Sequence, residues 1–157
     1  MKTTAVITLA IFTAFLTAFA SPKSSASFEK ALSDAEMVAS LNPDWSVHRT
    51  KGNSMGDFFG NNSLIVVQKA GIENIRTGMM IVYRSKQGEL VSHKVMQHNG
   101  DSLRTQGTAN WSLDPEPVTD DMIVGAIFCV FHANSAPFGT TFASNGQPLP
   151  VATCKTF

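Results

Sequence analysis

Two short segments of the sequence carry the side chains best suited to nucleophilic chemistry. The first is Gly-Asn-Ser-Met at 52–55, and the second is Ser-His-Lys-Val at 92–95. A serine hydroxyl becomes an effective nucleophile when a neighbouring base removes its proton, and histidine can do this near neutral pH. Ser54 and His93 are therefore candidates for a nucleophile and its base. Taken singly, a serine in such a loop is more often a turn residue, and a histidine in a strand is more often structural.

Lys94 is the neighbouring candidate for the base. Adjacent side chains on a β-strand point to opposite faces, so only one of His93 and Lys94 can face Ser54. The histidine alternative predicts that His93 points towards the serine and that Lys94 points away from it.

The order of these segments resembles that of the type I signal peptidase and self-cleaving repressor superfamily of serine peptidases. Relatives carry a G-x-S-M loop before a strand, then a G-D-I-V-V-type strand, then a strand bearing the base. The corresponding segments here are G-N-S-M at 52–55, L-I-V-V at 64–67, G-M-M-I-V-Y at 78–83 and V-S-H-K-V at 91–95. The base is lysine in bacterial members and histidine, in a V-H-R setting, in the endoplasmic-reticulum type. The resemblance therefore places His93 at the base position of the histidine subtype.

The same resemblance supplies an acidic partner for the histidine. The segment T-Q-G-T-A-N-W-S-L-D-P at 105–115 is similar to the T-K-G-D-x-N…D segment of the histidine subtype. There the acid lies seven positions after the motif glycine, which gives Asp114 when counted from Gly107. Two departures are visible: Thr108 stands where relatives have Asp, and Gly56-Asp57 stands where relatives usually place a proline.

The oxyanion site implied by the resemblance uses the backbone N–H of the nucleophile and the residue two positions before it. That residue is Gly52, which has no hydroxyl, so the resemblance implies main-chain donors with a contribution from Asn53. Met55 is assigned to the same oxyanion and substrate-binding group. Together with Phe58 and Phe59, it is expected to pack or to line a substrate groove.

The surrounding pattern predicts a mainly β domain with a short N-terminal helix. Near-helical apolar spacing predicts the helix over 28–41, with Ser27 as its N-cap and Asn42-Pro43 after it. Short apolar runs predict strands, and Asn99-Gly100 between two of them predicts a hairpin with a type I′ turn. The predicted strands cover 64–67, 79–83, 90–97, 102–105 and 122–131. The resemblance implies coiled antiparallel sheets over a domain at 28–135.

The first twenty residues have the layout of a secretory signal peptide. Met1-Lys2 precedes an apolar stretch, and Ala18-Phe19-Ala20 offers small residues at positions −3 and −1, so we expect cleavage after Ala20. The alternative is an uncleaved anchor that keeps the protein close to a membrane, although the stretch is short for a span. Residues 21–27 are small and polar and are interpreted as a linker. The protein is therefore expected to be exported, as a periplasmic or secreted protein.

Export bears on the two cysteines, Cys129 and Cys154. An even number of cysteines in an oxidising compartment favours a disulfide, so a Cys129–Cys154 bridge is a hypothesis, with two free thiols as the alternative. Residues 136–157 are rich in Ser, Gly, Pro, Thr and Asn and are predicted to form an irregular C-terminal tail.

Composition excludes one class of partner and suggests no cofactor. Twelve Lys and Arg residues balance twelve Asp and Glu residues, without a basic run, which argues against a nucleic-acid partner. His48, His98 and His132 lack carboxylate or thiol partners at ligand spacing, so no metal site is predicted.

Together these patterns predict a serine endopeptidase with Ser54, His93 and Asp114 as its catalytic group. An extended peptide or protein substrate would add as a strand and be cleaved through an acyl-enzyme. Three alternatives remain: an inactive peptide-binding or assembly module, a maturation peptidase for one exported partner, and self-cleavage within the N-terminal region. The substrate and the oligomeric state are not indicated by the sequence.

Overall fold

The computed structural model describes residue 22 and residues 24–135 and 137–157, and it is mainly β with one α-helix. The helix is α1, Phe28–Ala39. The strands are β1 (Trp45–Gly52), β2 (Ser63–Gln68), β3 (Met80–Arg84), β4 (Leu90–His98), β5 (Ser102–Gln106), β6 (Val118–Thr119), β7 (Ile123–His132) and β8 (Val151–Cys154). The predicted mainly β fold with a short N-terminal helix is confirmed.

Helix α1 begins at its predicted cap and packs on the outside of the sheet. The Ser27 hydroxyl accepts a hydrogen bond from the Lys30 N–H, which satisfies one of the free donors at the helix N-terminus. Phe28, Ala31 and Ala35 are buried together with Leu64 and Val66 of β2, among other residues. This contact explains why β2 is apolar on both faces, since its alternate residues face the opposite side of the sheet.

Six strands close into a barrel. They follow the order β3, β7, β2, β1, β8, β4, and pairing between β3 and β4 completes the ring. The other core face of β2 contributes Ile65 and Val67, which pack with Met55, Phe59 and Val82. Pairing is antiparallel except at β8, which lies parallel to both β1 and β4. The expectation of an entirely antiparallel sheet is therefore wrong at β8.

Strand β4 changes its neighbour halfway along one edge. β3 occupies one edge of β4. The other edge is shared, because Val91 pairs with Thr153 of β8 whereas the pairing with β5 starts at Lys94. His93 therefore lies at the point where β8 has ended and β5 begins, and this gap in the sheet is where other segments reach its side chain.

The C-terminal tail was expected to be irregular, and this is wrong for Val151–Cys154. These four residues form β8, paired with Arg49 through Gly52 of β1. The strand was missed because it is short and follows a long Gly- and Pro-containing segment, so it has little periodicity of its own. Since β8 is needed to close the barrel, the folded unit extends past the expected domain end at residue 135.

The expected disulfide is absent, because Cys129 and Cys154 are both free. Strands β2 and β1 separate β7 from β8 on one side of the ring, and β3 and β4 separate them on the other, so the two cysteine-bearing strands lie on opposite sides of the barrel, roughly 14 Å apart along the sheet. Bridged cysteines need Cα atoms closer than about 7 Å. In addition, Cys129 packs on the helix side and Cys154 in the barrel interior, where burial raises the pKa of the Cys154 thiol to about 12.

The predicted hairpin at Asn99-Gly100 connects β4 to β5, but its turn is not type I′. Gly100 has a φ of 79°, whereas no non-glycine residue in the described ranges has a positive φ. A type I′ turn needs the left-handed conformation at two successive central positions, and neither Asn99 nor Asp101 beside Gly100 has it. The connection is closed by a hydrogen bond from the Asn99 N–H to the Ser102 carbonyl, which leaves Gly100 and Asp101 at its tip.

The predicted signal peptide or anchor at 1–20 lies outside the described residues. Within the described ranges, no helix has the length and apolar character needed to cross a bilayer.

His48 provides a test of the fold through its pH dependence. It is 3% exposed on β1, and burial lowers its pKa to about 4. As pH falls below about 6.5, His48 binds a proton in the unfolded chain but not in the native protein. The free energy of unfolding therefore decreases until about pH 4. We expect this group to account for about 3 kcal/mol of that loss. Urea unfolding at about pH 7 and about pH 4.5 should show a smaller loss in His48→Gln. An unchanged loss in the variant would contradict the assignment.

Candidate active site

Ser54, His93 and Asp114 form one continuous hydrogen-bonded chain. The Ser54 Oγ lies 2.9 Å from His93 Nε2, and His93 Nδ1 lies 2.6 Å from Asp114 Oδ2. The residues are 2%, 0% and 2% exposed. The structure therefore brings the three predicted residues together in the order nucleophile, base and acid. This arrangement can remove a proton from the serine hydroxyl and stabilise the imidazolium that results.

His93 rather than Lys94 faces the serine. His93 shares a face of β4 with Val91 and Val95, which are buried, whereas Lys94 points to the opposite face and is partly exposed. The alternation argument from the sequence thus excludes Lys94 as the partner of Ser54 in this fold.

The loop that presents Ser54 is held in place by the two residues that follow the serine, Met55 and Gly56. Met55 is fully buried in the barrel interior and anchors the loop there, so it does not line a substrate groove as the sequence suggested. Gly56 has a φ of 54°, and its N–H donates to the Asn53 carbonyl at 3.0 Å. Proline cannot adopt a positive φ. The glycine at this position is therefore required by the turn that follows Ser54.

Gly52 and Asn53, the proposed oxyanion group, are engaged by another residue. The Gly52 N–H donates to Asn61 Oδ1 at 2.8 Å, and Asn61 Nδ2 donates to Asn53 Oδ1 at 3.2 Å. A side chain at position 52 would meet the Cys154 carbonyl oxygen at 2.3 Å. These contacts assign Gly52 and Asn53 to the junction of β1, β8 and the serine loop, and they leave the Gly52 N–H occupied.

A second loop, residues 107–110, packs directly against the serine. The Ala109 N–H donates to the Ser54 carbonyl at 2.7 Å. A Cβ on Gly107 would lie 2.7 Å from the Ser54 Cβ, so only glycine permits this approach. The Thr108 hydroxyl is buried and bonds to no described residue, and nothing in the structure explains the choice of threonine there.

Asp114 is fixed by donors from two further strands. Tyr83 on β3 and Thr105 on β5 donate their hydroxyls to Asp114 Oδ2, at 2.9 and 2.6 Å. The Asp114 N–H donates to the Thr105 carbonyl, and Arg104 donates to the Asp114 carbonyl. Burial by itself raises the pKa of Asp114, but the hydrogen bond and charge of His93 and the two hydroxyl donors outweigh it. The net pKa is lowered, which keeps the carboxylate ionised.

Tyr83 and Thr105 were missed by the sequence reasoning. Burial, followed by the nearby Asp114 charge, raises the pKa of Tyr83, so it remains a hydroxyl donor. Tyr83 faces Val91 in the β3–β4 pairing, and Thr105 faces Val95 in the β4–β5 pairing. Both therefore lie on the His93 face of the sheet. The registers of the β3–β4 and β4–β5 pairings would have identified both residues as neighbours of His93, but a single sequence does not reveal which residues pair across strands.

The C-terminal segment, residues 155–157, also reaches the site. The Lys155 carbonyl oxygen lies 3.0 Å from His93 Nε2 and accepts a hydrogen bond from Asn110 Nδ2 at 3.0 Å. The Phe157 ring packs edge-on against the His93 imidazole, with centroids 5.9 Å apart. No pattern in the tail predicted this contact.

A pocket beside Asp114 adjoins the same segment. Its lining includes Tyr83, Ser85, Pro115, Met122 and Phe157. Among the described residues, no group of three His, Cys, Asp or Glu side chains is arranged to hold a metal ion.

Comparisons with known proteins add no relative. No protein-family model matches the chain, and no curated protein matches it.

Proposed function

We propose that the protein is a serine endopeptidase of the signal-peptidase type that acts on exported peptides or proteins. The observation that carries the proposal is the hydrogen-bonded chain from Ser54 through His93 to Asp114. All three groups are buried, so their geometry is set by packing, and the acid has its own donors. The sequence resemblance supplies the peptidase family and the expectation of export.

In the proposed reaction, the Ser54 oxygen attacks the carbonyl carbon of a peptide bond while its proton passes to His93 Nε2. The carbon–nitrogen bond then breaks, and His93 returns the proton to the departing amine. Water attacks the resulting ester in the same way, which releases the acid product and restores Ser54. Asp114 holds the Nδ1 proton of His93 throughout and stabilises the imidazolium.

The oxyanion that forms on the substrate needs donors close to Ser54. We assign this role to the backbone N–H of Ser54 and to Asn110 Nδ2. Support for Asn110 is that it already donates to a peptide carbonyl, that of Lys155, beside the Ser54–His93 pair. Donors of this kind contribute roughly 3 to 4 kcal/mol each in serine peptidases.

A peptide-binding module without catalytic activity is the second candidate. It is favoured by the limited access to the nucleophile, since Ser54 is 2% exposed and residues 155–157 lie against its base. Such a module would hold an extended peptide as an added strand without cleaving it.

Covalent labelling of Ser54 tests the proposed activity. A fluorophosphonate probe should label the wild-type chain, and Ser54→Ala and His93→Ala should each lose labelling because nucleophile and base are both needed. Lys94→Ala is the matched control, on the same strand but the opposite face, and should label like wild type. Because residues 155–157 lie against His93, a chain altered in these residues is tested as well. Absence of labelling from both this chain and the wild type would favour the binding module.

Asp114→Asn tests the role of the acid. The amide cannot stabilise the imidazolium and favours the wrong tautomer of His93, so we expect the labelling rate to fall by roughly 10³- to 10⁴-fold. Asp101→Asn, in the exposed β4–β5 loop, is the control and should keep the wild-type rate. Circular dichroism of both variants checks folding, and a well-folded Asp114→Asn chain with the wild-type rate would exclude Asp114 from the mechanism.

A further inference from the structure

We propose that residues 155–157 occupy the peptide-binding cleft as an intramolecular ligand that inhibits the site. The segment reads Lys-Thr-Phe, and the cleft would accept peptides with a basic residue followed two positions later by an aromatic residue. This inference rests on the proposed function for its inhibitory consequence. Its binding part stands independently, on the contacts of the segment.

The route of the chain leads the segment into the gap on β4. β8 ends at Cys154, next to Gly52, two residues before the nucleophile. Beyond it, Lys155 passes the point where β4 exchanges β8 for β5, and its carbonyl meets His93 there. A peptide that followed the same path would have its backbone next to both His93 and Ser54.

The Lys155 carbonyl competes with the serine for the base. His93 Nδ1 is committed to Asp114, so catalysis needs the lone pair of Nε2 to receive the Ser54 proton. A carbonyl oxygen only accepts hydrogen bonds, so its contact with Nε2 is favourable only when Nε2 carries a proton. The segment therefore places a hydrogen-bond acceptor at the nitrogen that must receive the Ser54 proton.

Two side chains of the segment have separate partners. The Lys155 ammonium lies 2.8 Å from Glu89 Oε2, and Phe157 lines the pocket beside Asp114. Glu116 lines the same pocket but is paired with Lys86 at 3.2 Å, so Glu89 is the acidic partner of the basic residue. Charge and an aromatic anchor thus define the ligand as a basic-x-aromatic peptide.

The segment can leave without opening the barrel. Phe157 is 47% exposed, and the side chains of Lys155 and Glu89 are 35% and 51% exposed, so the ring is only half buried and water weakens the ion pair. The pairing of β8 with β1 ends at Cys154 and is independent of the last three residues. A substrate with better contacts would therefore displace the segment.

The test compares the full-length wild type with the double variant Lys155→Glu, Phe157→Ala. The new glutamate repels Glu89 and the ring is lost, so the probe should label Ser54 at least about tenfold faster in the variant. Met37→Ala is the control, because Met37 is exposed on helix α1 outside the barrel, and it should label like wild type. Equal labelling rates in the wild type and the double variant would overturn inhibition.

Peptide binding separates this inference from the proposed activity. Two chains are compared, and both carry Ser54→Ala. A fluorescent Lys-Thr-Phe peptide should bind the chain with the double variant, and should bind the chain with wild-type residues 155–157 at least about tenfold more weakly. A peptide ending in Glu-Thr-Ala should not bind either chain. If no chain is labelled by the probe but the first peptide binds, the proposed activity fails and the cleft assignment stands. If the first peptide does not bind the open chain, the cleft assignment fails whatever the labelling result.

Discussion

The hydrogen bond between His93 and Asp114 is the constraint on which the site and its neighbouring strands depend. An ionised carboxylate that is 2% exposed is costly unless its oxygens are satisfied. Here Oδ2 receives donors from β3, β4 and β5, whereas the buried Oδ1 bonds to no described residue, so the stabilisation is concentrated on one oxygen. The carboxylate consequently ties three strands together at one atom. Any shift of register between them would leave a buried charge unpaired, so the pairing of these strands and the position of the base are fixed together.

Ser54, the proposed nucleophile, is positioned in a different way, by close packing of the backbone. The 107–110 loop touches Ser54 through a glycine that has no room for a side chain, and Gly52 meets β8 in the same way. Met55 is buried beside the serine and holds its loop to the barrel. Hydrogen bonding therefore orients the base and acid, while packing holds the serine at the distance they require. The two devices meet at the 2.9 Å contact between Ser54 and His93.

The sequence predicted the helix and strands that have a strong apolar periodicity, and it missed the strands that form only because neighbouring strands pair with them. The helix and five strands have clear apolar patterns, whereas β1 mixes polar and apolar residues and β8 has only four. Juxtaposition of Ser54, His93 and Asp114 was predicted because a family resemblance stood in for tertiary information. Tyr83, Thr105 and Asn110 were not singled out for roles, since they depend on strand register or loop packing. The disulfide prediction failed because cysteine count carries no information on strand order.

The position of residues 155–157 follows from the change of neighbour along β4 beside His93, where the proposed substrate would also bind. A strand edge without a neighbour offers unpaired backbone groups, and the nearest chain able to fill it is the one that leaves β8. Weak contacts suffice for this purpose, because a tethered segment acts at an effective concentration of roughly millimolar. Weakness is also needed, since a tightly held segment would block every substrate. Under the proposed inhibition, the half-exposed Phe157 and the ion pair of Lys155 meet both requirements, and the site would select peptides that bind better than residues 155–157.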